Sequence, residues 1–172
     1  ARSETSFFKK LYFLHESKLI KKYNHHLPGT CIYACISGED IRILKDEYHL
    51  TNTKFLPAYP AWQQVNGEEG VGNLCLYHGN LSVPENEKAA IWLLEEIFND
   101  QQIPLFVAGK DPSEKLVRKV RVNLNATLIA NPSNTGMQEL IANAQCHVLP
   151  SFNVTGIKLK LINALFNGRH CI

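Results

Sequence analysis

Leu74-Cys75-Leu76-Tyr77-His78-Gly79-Asn80-Leu81-Ser82-Val83-Pro84-Glu85 reads as a strand, a turn and the start of a helix. The first five residues are almost continuously apolar, as a strand buried on both faces must be. Gly79-Asn80-Leu81 is the turn. Ser82 and Glu85 have the spacing of a capping box, and Pro84 suits a first helical turn. The helix predicted over 84–99 carries Ala90, Ile91, Leu93, Leu94, Ile97 and Phe98 at helical spacing.

The same alternation runs on to the last residue. Ile103–Ala108 is a strand, and Asp111-Pro112 is expected to cap a helix carrying Leu116, Val117 and Val120. Ala126–Ala130 is a strand, followed by a helix around 135–144 with Met137, Leu140 and Ile141. Cys146–Leu149 is a strand. Thr155-Gly156 is expected to open a helix that Asn167-Gly168 closes, glycine being common just past a helix end. His170-Cys171-Ile172 begins a further strand. Strands alternating with helices predict an α/β, Rossmann-like parallel sheet with helices on both faces. Such a sheet normally continues, so the chain is expected to be cut from a larger protein.

Upstream the pattern is looser. Residues 6–24 read as a helix with a basic end, Lys21-Lys22-Tyr23-Asn24-His25-His26, stopped by Leu27-Pro28-Gly29. Cys31–Ile36 reads as a buried strand. Ser37 and Asp40 form a capping box for a short helix with Ile41, Leu44 and Tyr48 inward. Lys54–Tyr59 is extended and ended by Pro60. Residues 62–72 hold Gly67, Gly70 and Gly72 with Glu68 and Glu69, the most linker-like stretch. The domain division expected is therefore 1–66 and 67–172, with residues 1–66 too few to bury a complete core. Apolar faces left open there are expected to favour self-association.

Composition narrows the function classes. Of 172 residues, 45% are hydrophobic and 20% charged, which is ordinary globular composition. Eighteen basic and sixteen acidic residues leave +2 overall, split as +3 over 1–66 and −1 over 67–172. That is too even for a nucleic-acid footprint, so no nucleic-acid partner is expected. No run of about 18 apolar residues or secretory leader is present, so a cytoplasmic location without a transmembrane segment is expected. Cys31, Cys35, Cys75, Cys146 and Cys171 are odd in number and scattered, which reads as reduced thiols. The sequons at Asn80, Asn125 and Asn153 are read as chance.

Chemistry is expected at the carboxyl ends of the strands, where open parallel sheets bind ligands. Four loops meet there: 79–82, 108–111, 131–136 and 150–156. Each combines glycine or other small residues with Ser, Asn or Lys, so backbone N–H groups can approach a phosphate. The last loop is the most informative. Gly156 stands at the expected helix start, and Lys158 and Lys160 lie in the first turns, where the helix dipole disfavours cations. Lysines there make sense if an anion is bound.

The segment Thr155-Gly156-Ile157-Lys158-Leu159-Lys160, continuing through Asn163-Ala164-Leu165 to Gly168-Arg169, resembles the donor-site helix of the group 1 glycosyltransferases, a family of the GT-B fold. Leu76–Leu81, Pro104–Lys110 and Val148–Ser151 fall where that family's carboxy-terminal domain has its first, second and fourth strands. Ile36–Asp40 and Phe55–Ala58 resemble the end of its amino-terminal domain. The resemblance implies the carboxy-terminal half of a GT-B enzyme, with a remnant of the amino-terminal domain before it. It also implies sugar transfer from a nucleotide-activated donor to a sugar or glycan acceptor, such as a growing or lipid-linked saccharide. The implied donor-site residues are Gly79, Asn80, Lys110, Ser151, Thr155, Gly156, Lys158 and Asn163. No metal is implied and no cofactor, since the nucleotide sugar is a substrate. The family's two glutamates fall at Thr155 and Asn163, and the positions of its usual diphosphate-binding cations read Asn80 and Lys88. This piece alone is therefore expected to bind a nucleotide weakly and to catalyse nothing. The alternative is a non-catalytic glycosyltransferase-like module that binds a nucleotide sugar or a protein.

Other nucleotide and hydrolase readings lack their motifs. Gly79–Pro84 is not Gly-x-Gly-x-x-Gly, Gly109-Lys110-Asp111 is not a phosphate-loop Gly-Lys-Ser/Thr, and no Gly-x-Ser-x-Gly elbow occurs. No Asp ends a central strand, as a phosphoacceptor receiver needs. His78 and His147 are read as core or loop histidines.

Overall fold

The computed structural model describes residues 6–152 and 157–172. The chain divides into two compact units, one running to Ala58 and the other starting at Tyr59.

The first unit holds helix α1 (Phe7–Asn24), strand β1 (Tyr33–Cys35), helix α2 (Gly38–Asp46) and strand β2 (Thr53–Phe55). The two strands pair in parallel, Tyr33 with Thr53 and Cys35 with Phe55, so β1, α2 and β2 form a small βαβ unit. Ser37 caps α2 as its spacing implies. Its hydroxyl accepts from the Asp40 N–H at 3.0 Å and donates to the Asp40 carboxylate at 2.6 Å. The strand expected over 31–36 is shorter and more open, with only Cys35 buried and Ile32 and Ile36 exposed. A two-stranded sheet under one short helix has too little cover for six apolar residues. Helix α1 buries no residue at all. Leu11, Tyr12, Phe13 and Leu14 are consecutive, so they encircle the helix instead of forming one stripe.

The second unit is a five-stranded, all-parallel sheet of β3 (Cys75–Asn80), β4 (Leu105–Lys110), β5 (Ala126–Ala130), β6 (Cys146–His147) and β7 (His170–Cys171). Its order is β5-β4-β3-β6-β7. The chain builds outward from β3 to β5 and then crosses to the far side of β3, so the order reverses between β3 and β6. Along β3, Tyr77 faces one core and Leu76 the other, and both are fully buried. That two-sided burial is why the strand reads as an unbroken apolar run. One core joins Leu105 and Val107 to Ala90 of helix α3 (Pro84–Trp92), to Leu93 just beyond its end, and to Leu116 and Val120 of α4 (Glu114–Val122). The opposite core joins Leu76 and Ala108 to Ile141 of α5 (Asn134–Asn143). Helix α6 (Leu159–Asn167) packs beside α5 and β7.

Several local expectations change. Pro84 is the first residue of α3, which makes Val83 the N-cap and leaves Ser82 outside the helix. The Ser82 hydroxyl instead donates to Asn80 Oδ1 at 2.7 Å, closing the turn. The helix expected over 84–99 widens into a π turn at Leu93–Ile97, where the Phe98 N–H reaches the Leu93 carbonyl at 2.8 Å and sets buried Phe98 over buried Leu93. Asp111 does not cap α4. It adopts φ +48° at the strand end, and Ser113 is the cap, its Oγ accepting from the Leu116 N–H at 3.2 Å. The same hydroxyl donates to the Glu87 carboxylate, tying α4 to α3. Ser113→Ala is expected to cost about 1–2 kcal/mol, measured by chemical denaturation. Gly168 ends α6 in an extended conformation, φ −105°, so left-handed freedom is not its purpose. A Cβ there would lie 2.2 Å from His147 Nε2.

The glycine-rich stretch lies along the second unit. The Asn66 N–H reaches the Phe166 carbonyl at 2.6 Å, and the Gly72 N–H reaches Gln145 Oε1 at 2.6 Å. Arg169 meets Glu68 at 3.5 Å. All five cysteines are free thiols.

Candidate functional site

The carboxyl ends of β3, β4 and β5 surround an open cavity of about 390 Å³. It is lined by Gly79 and Asn80 from β3, Gly109 and Lys110 from β4, and Asn131, Pro132, Asn134 and Met137 from the loop after β5 and the start of α5. The floor is shaped by a close approach of strands. Gly79 and Gly109 are register partners, as are Asn80 and Lys110. The loops are held by main-chain bonds: the Leu81 N–H to the Lys110 carbonyl at 2.9 Å, and the Asn131 N–H to the Gly109 carbonyl at 2.8 Å. Asn131 adopts φ +52° and its Oδ1 accepts from the Asp111 N–H at 2.8 Å, which locks the two loops together.

Gly79, Asn80 and Lys110, expected at the site from the sequence, therefore meet in one cavity. Ser151 is exposed after β6, and Lys158 is half-buried at the N-cap of α6, one residue before the helix begins. Thr155 and Gly156 lie outside the described residues. Asn163 sits one turn into α6, where its Oδ1 accepts from Asn167 Nδ2 at 2.8 Å. Asn167 Oδ1 in turn accepts from Asn66 Nδ2 at 3.1 Å. Asn131, Asn134 and Met137 were not singled out in the sequence, although their loop was. Nothing local distinguishes a lining asparagine from a turn asparagine.

A second cluster occupies the place where the strand order reverses. Lys160, in the first turn of α6, reaches Asn86 Oδ1 at 3.2 Å and Tyr77 Oη at 3.3 Å, with its ammonium 4.7 Å from the Tyr77 ring centre. Partial burial, and Lys158 nearby, hold its pKa below the usual lysine range. On the other face of β3, His78 meets His147 edge to face at 5.7 Å between centroids. Burial foremost, then His147 and Lys160, depress the His78 pKa to about 4. His147 is lowered by burial too, opposed by a 3.0 Å bond between its Nε2 and the Ile141 carbonyl. Burial thus disfavours the charged form of both imidazoles. Among the described residues no group of three His, Cys, Asp or Glu side chains is placed to hold a metal ion, and no helix is long and apolar enough to cross a membrane.

No family model matches the chain. It is 28% identical, over 95% of its length, to an uncharacterized 44.6 kDa protein in a cps region of Klebsiella pneumoniae, of which it covers 44%. The GtfA/B complex superposes with a TM-score of 0.59 at 14% identity, over 81% of this chain and 29% of the solved one. The chain thus spans less than half the length of the relative and less than a third of the solved chain. Its parallel five-stranded sheet flanked by helices is similar to the GT-B fold of glycosyltransferases.

Proposed function

We propose that residues 67–172 are the nucleotide-sugar-binding domain of a cytoplasmic glycosyltransferase, with residues 1–66 belonging to its amino-terminal part. In this reading the whole protein transfers a sugar from a nucleotide-activated donor to a sugar or glycan acceptor. The observation that carries it is the cavity at the carboxyl ends of β3, β4 and β5, floored by Gly79 and Gly109 and edged by Lys110, on a GT-B-like sheet. Strand ends of a doubly wound sheet are where nucleotides bind. The relative's cps region fits polysaccharide synthesis.

Gly79, Asn80, Lys110, Ser151, Lys158 and Asn163 are the proposed donor contacts among the described residues, and Thr155 and Gly156 complete the set from the sequence. The Asn163 side-chain oxygen accepts from Asn167, and its NH₂ is the group proposed to meet a ribose hydroxyl. Calorimetry with a panel of nucleotide sugars tests the reading. Lys158→Ala is expected to weaken binding roughly ten-fold, as loss of a charge-assisted contact does, and Asn163→Ala to weaken it less. Unchanged affinity in both would move the site elsewhere. Thr155 and Asn163 stand where the resembling family has carboxylates, which favours a binding module as the second reading. Sugar transfer by the whole protein separates the two.

A further inference from the structure

We propose that the free edge of β5 is the surface on which a second copy of this chain docks, the two β5 strands pairing antiparallel across a two-fold axis. β5 stands at the end of the strand order, with β4 on one side and no strand on the other. The Leu105 N–H bonds the Asn125 carbonyl at 2.9 Å, and the Asn131 N–H bonds the Gly109 carbonyl at 2.8 Å. Alternate residues of a parallel strand bond the same neighbour, so Asn125, Thr127, Ile129 and Asn131 turn their main-chain groups to β4. Ala126, Leu128 and Ala130 turn theirs outward. The Ala126 N–H is taken by the Asn123 carbonyl at 3.2 Å, and the other outward groups meet no strand.

Native sheets usually blunt such an edge with charge, proline or a bulge. β5 uses none of them. Ala126-Thr127-Leu128-Ile129-Ala130 is uncharged and free of proline, and its five residues pair with β4 without interruption. The turn leading into the strand adds apolar surface that the fold leaves in water. Leu124 is 97% exposed, the most of any large hydrophobic residue described, and Val122 at the end of α4 is 78% exposed. Hydrogen bonds hold this turn in place. The Asn125 N–H bonds Asn123 Oδ1 at 3.1 Å, Asn123 Nδ2 bonds the Phe98 carbonyl at 3.1 Å, and Asn125 Nδ2 bonds the Gln101 carbonyl at 2.9 Å. Leu124 is therefore presented outward between two anchored asparagines, beside an open strand edge. Apolar side chains displayed in this way mark a contact surface.

A second copy is the occupant whose groups match. With Leu128 opposite the second copy's Leu128, each Leu128 N–H meets the other's carbonyl, and each Ala130 N–H meets the other's Ala126 carbonyl. The same axis sets Ala126 opposite Ala130 and Thr127 opposite Ile129, so no charge faces another across the pair. It also carries each Leu124 past the end of the facing strand to the second copy's Asn131-Pro132 loop, which lines the cavity at the strand ends. The contact is isologous and closes on itself, as a two-fold dimer requires.

Sedimentation of the whole chain over a concentration series, reaching the high micromolar range, tests the proposal. The wild type is expected to dimerise. Thr127→Lys, which charges the exposed side of the edge, and Leu124→Ser are each expected to raise the dissociation constant by about ten-fold or more. Ala130→Pro removes an outward N–H, leaves the bonds to β4 in place, and is expected to act likewise. Thr127, Leu124 and Ala130 are all exposed, and a cooperative melt certifies each variant. Cross-linking by diamide reads the register. Thr127→Cys combined with Ile129→Cys is expected to give a disulfide-linked dimer, above the background set by the five native thiols. Thr127→Cys alone is not, because the two copies of residue 127 do not face each other. A dimer indifferent to all three edge variants, or cross-linked equally by Thr127→Cys alone, overturns the proposal and moves the contact elsewhere. A wild type that stays monomeric throughout overturns it too, and leaves the edge to a strand of another protein.

Discussion

Gly109→Ala is expected to destabilise the second unit by about 3 kcal/mol or more and to lower its melting temperature by about 10 °C. A Cβ on Gly109 would lie 1.8 Å from the Gly79 carbonyl oxygen and 2.9 Å from Leu81 Cγ. The first of these is main chain in the centre of the sheet, and it has no rotamer to move. Flanking bonds fix both strands: Leu81 to the Lys110 carbonyl and Asn131 to the Gly109 carbonyl. The methyl group can be housed only by parting β3 from β4 at the rim of the cavity. Gly79→Ala is the internal control. Its Cβ would lie 3.5 Å from the Asn86 side chain, an ordinary contact, so less than about 1 kcal/mol is expected. Thermal unfolding followed by circular dichroism reads both variants. Equal melting temperatures would show that β3 and β4 do not pair with Gly79 opposite Gly109.

Acid is expected to weaken the fold through His78. Its folded-state pKa is about 4, against 6.5 for the free side chain, because burial, His147 and Lys160 all disfavour its charge. Between those values the unfolded chain binds a proton that the folded chain refuses. Stability therefore rises with pH across this window. The contribution is fully present above about pH 6.5 and is lost progressively as pH falls toward 4. It amounts to about 3 kcal/mol at 1.36 kcal/mol per unit. His147, lowered in the same direction, adds to the slope. Urea denaturation of wild type and His78→Leu at pH 7.5 and 4.5 isolates the His78 share, since carboxylates act equally in both. An unchanged difference between the two pH values in the variant would refute this role for His78.

Much of the second unit was legible because its signals are local. The apolar run 74–78, the helical stretch carrying Ala90 and Ile91, and Pro84 at a helix start each follow from the torsions and burial of a few neighbouring residues. Ser37 and Asp40 close their capping box with bonds three residues apart. Gly79, Asn80 and Lys110 could be chosen because strand ends in an alternating chain share one edge. The cap at Asp111 was misread for a reason of packing. Once Gly109 is pressed against Gly79, the chain leaves the strand in a left-handed turn, and Ser113 is then the residue facing the free N–H groups.

Strand and helix identity, two-sided burial and the edge that carries the loops come from periodicity within the chain, over which backbone torsions and side-chain hydrophobicity act directly. The order β5-β4-β3-β6-β7 comes from pairing between distant segments, which no local preference encodes. The same holds for Lys160, whose partners Tyr77 and Asn86 lie 83 and 74 residues away in the chain. It holds for Gly168, kept small by His147 rather than by its own torsions. Contacts of that kind exist only after the sheet has formed, because their energy depends on distances that folding sets.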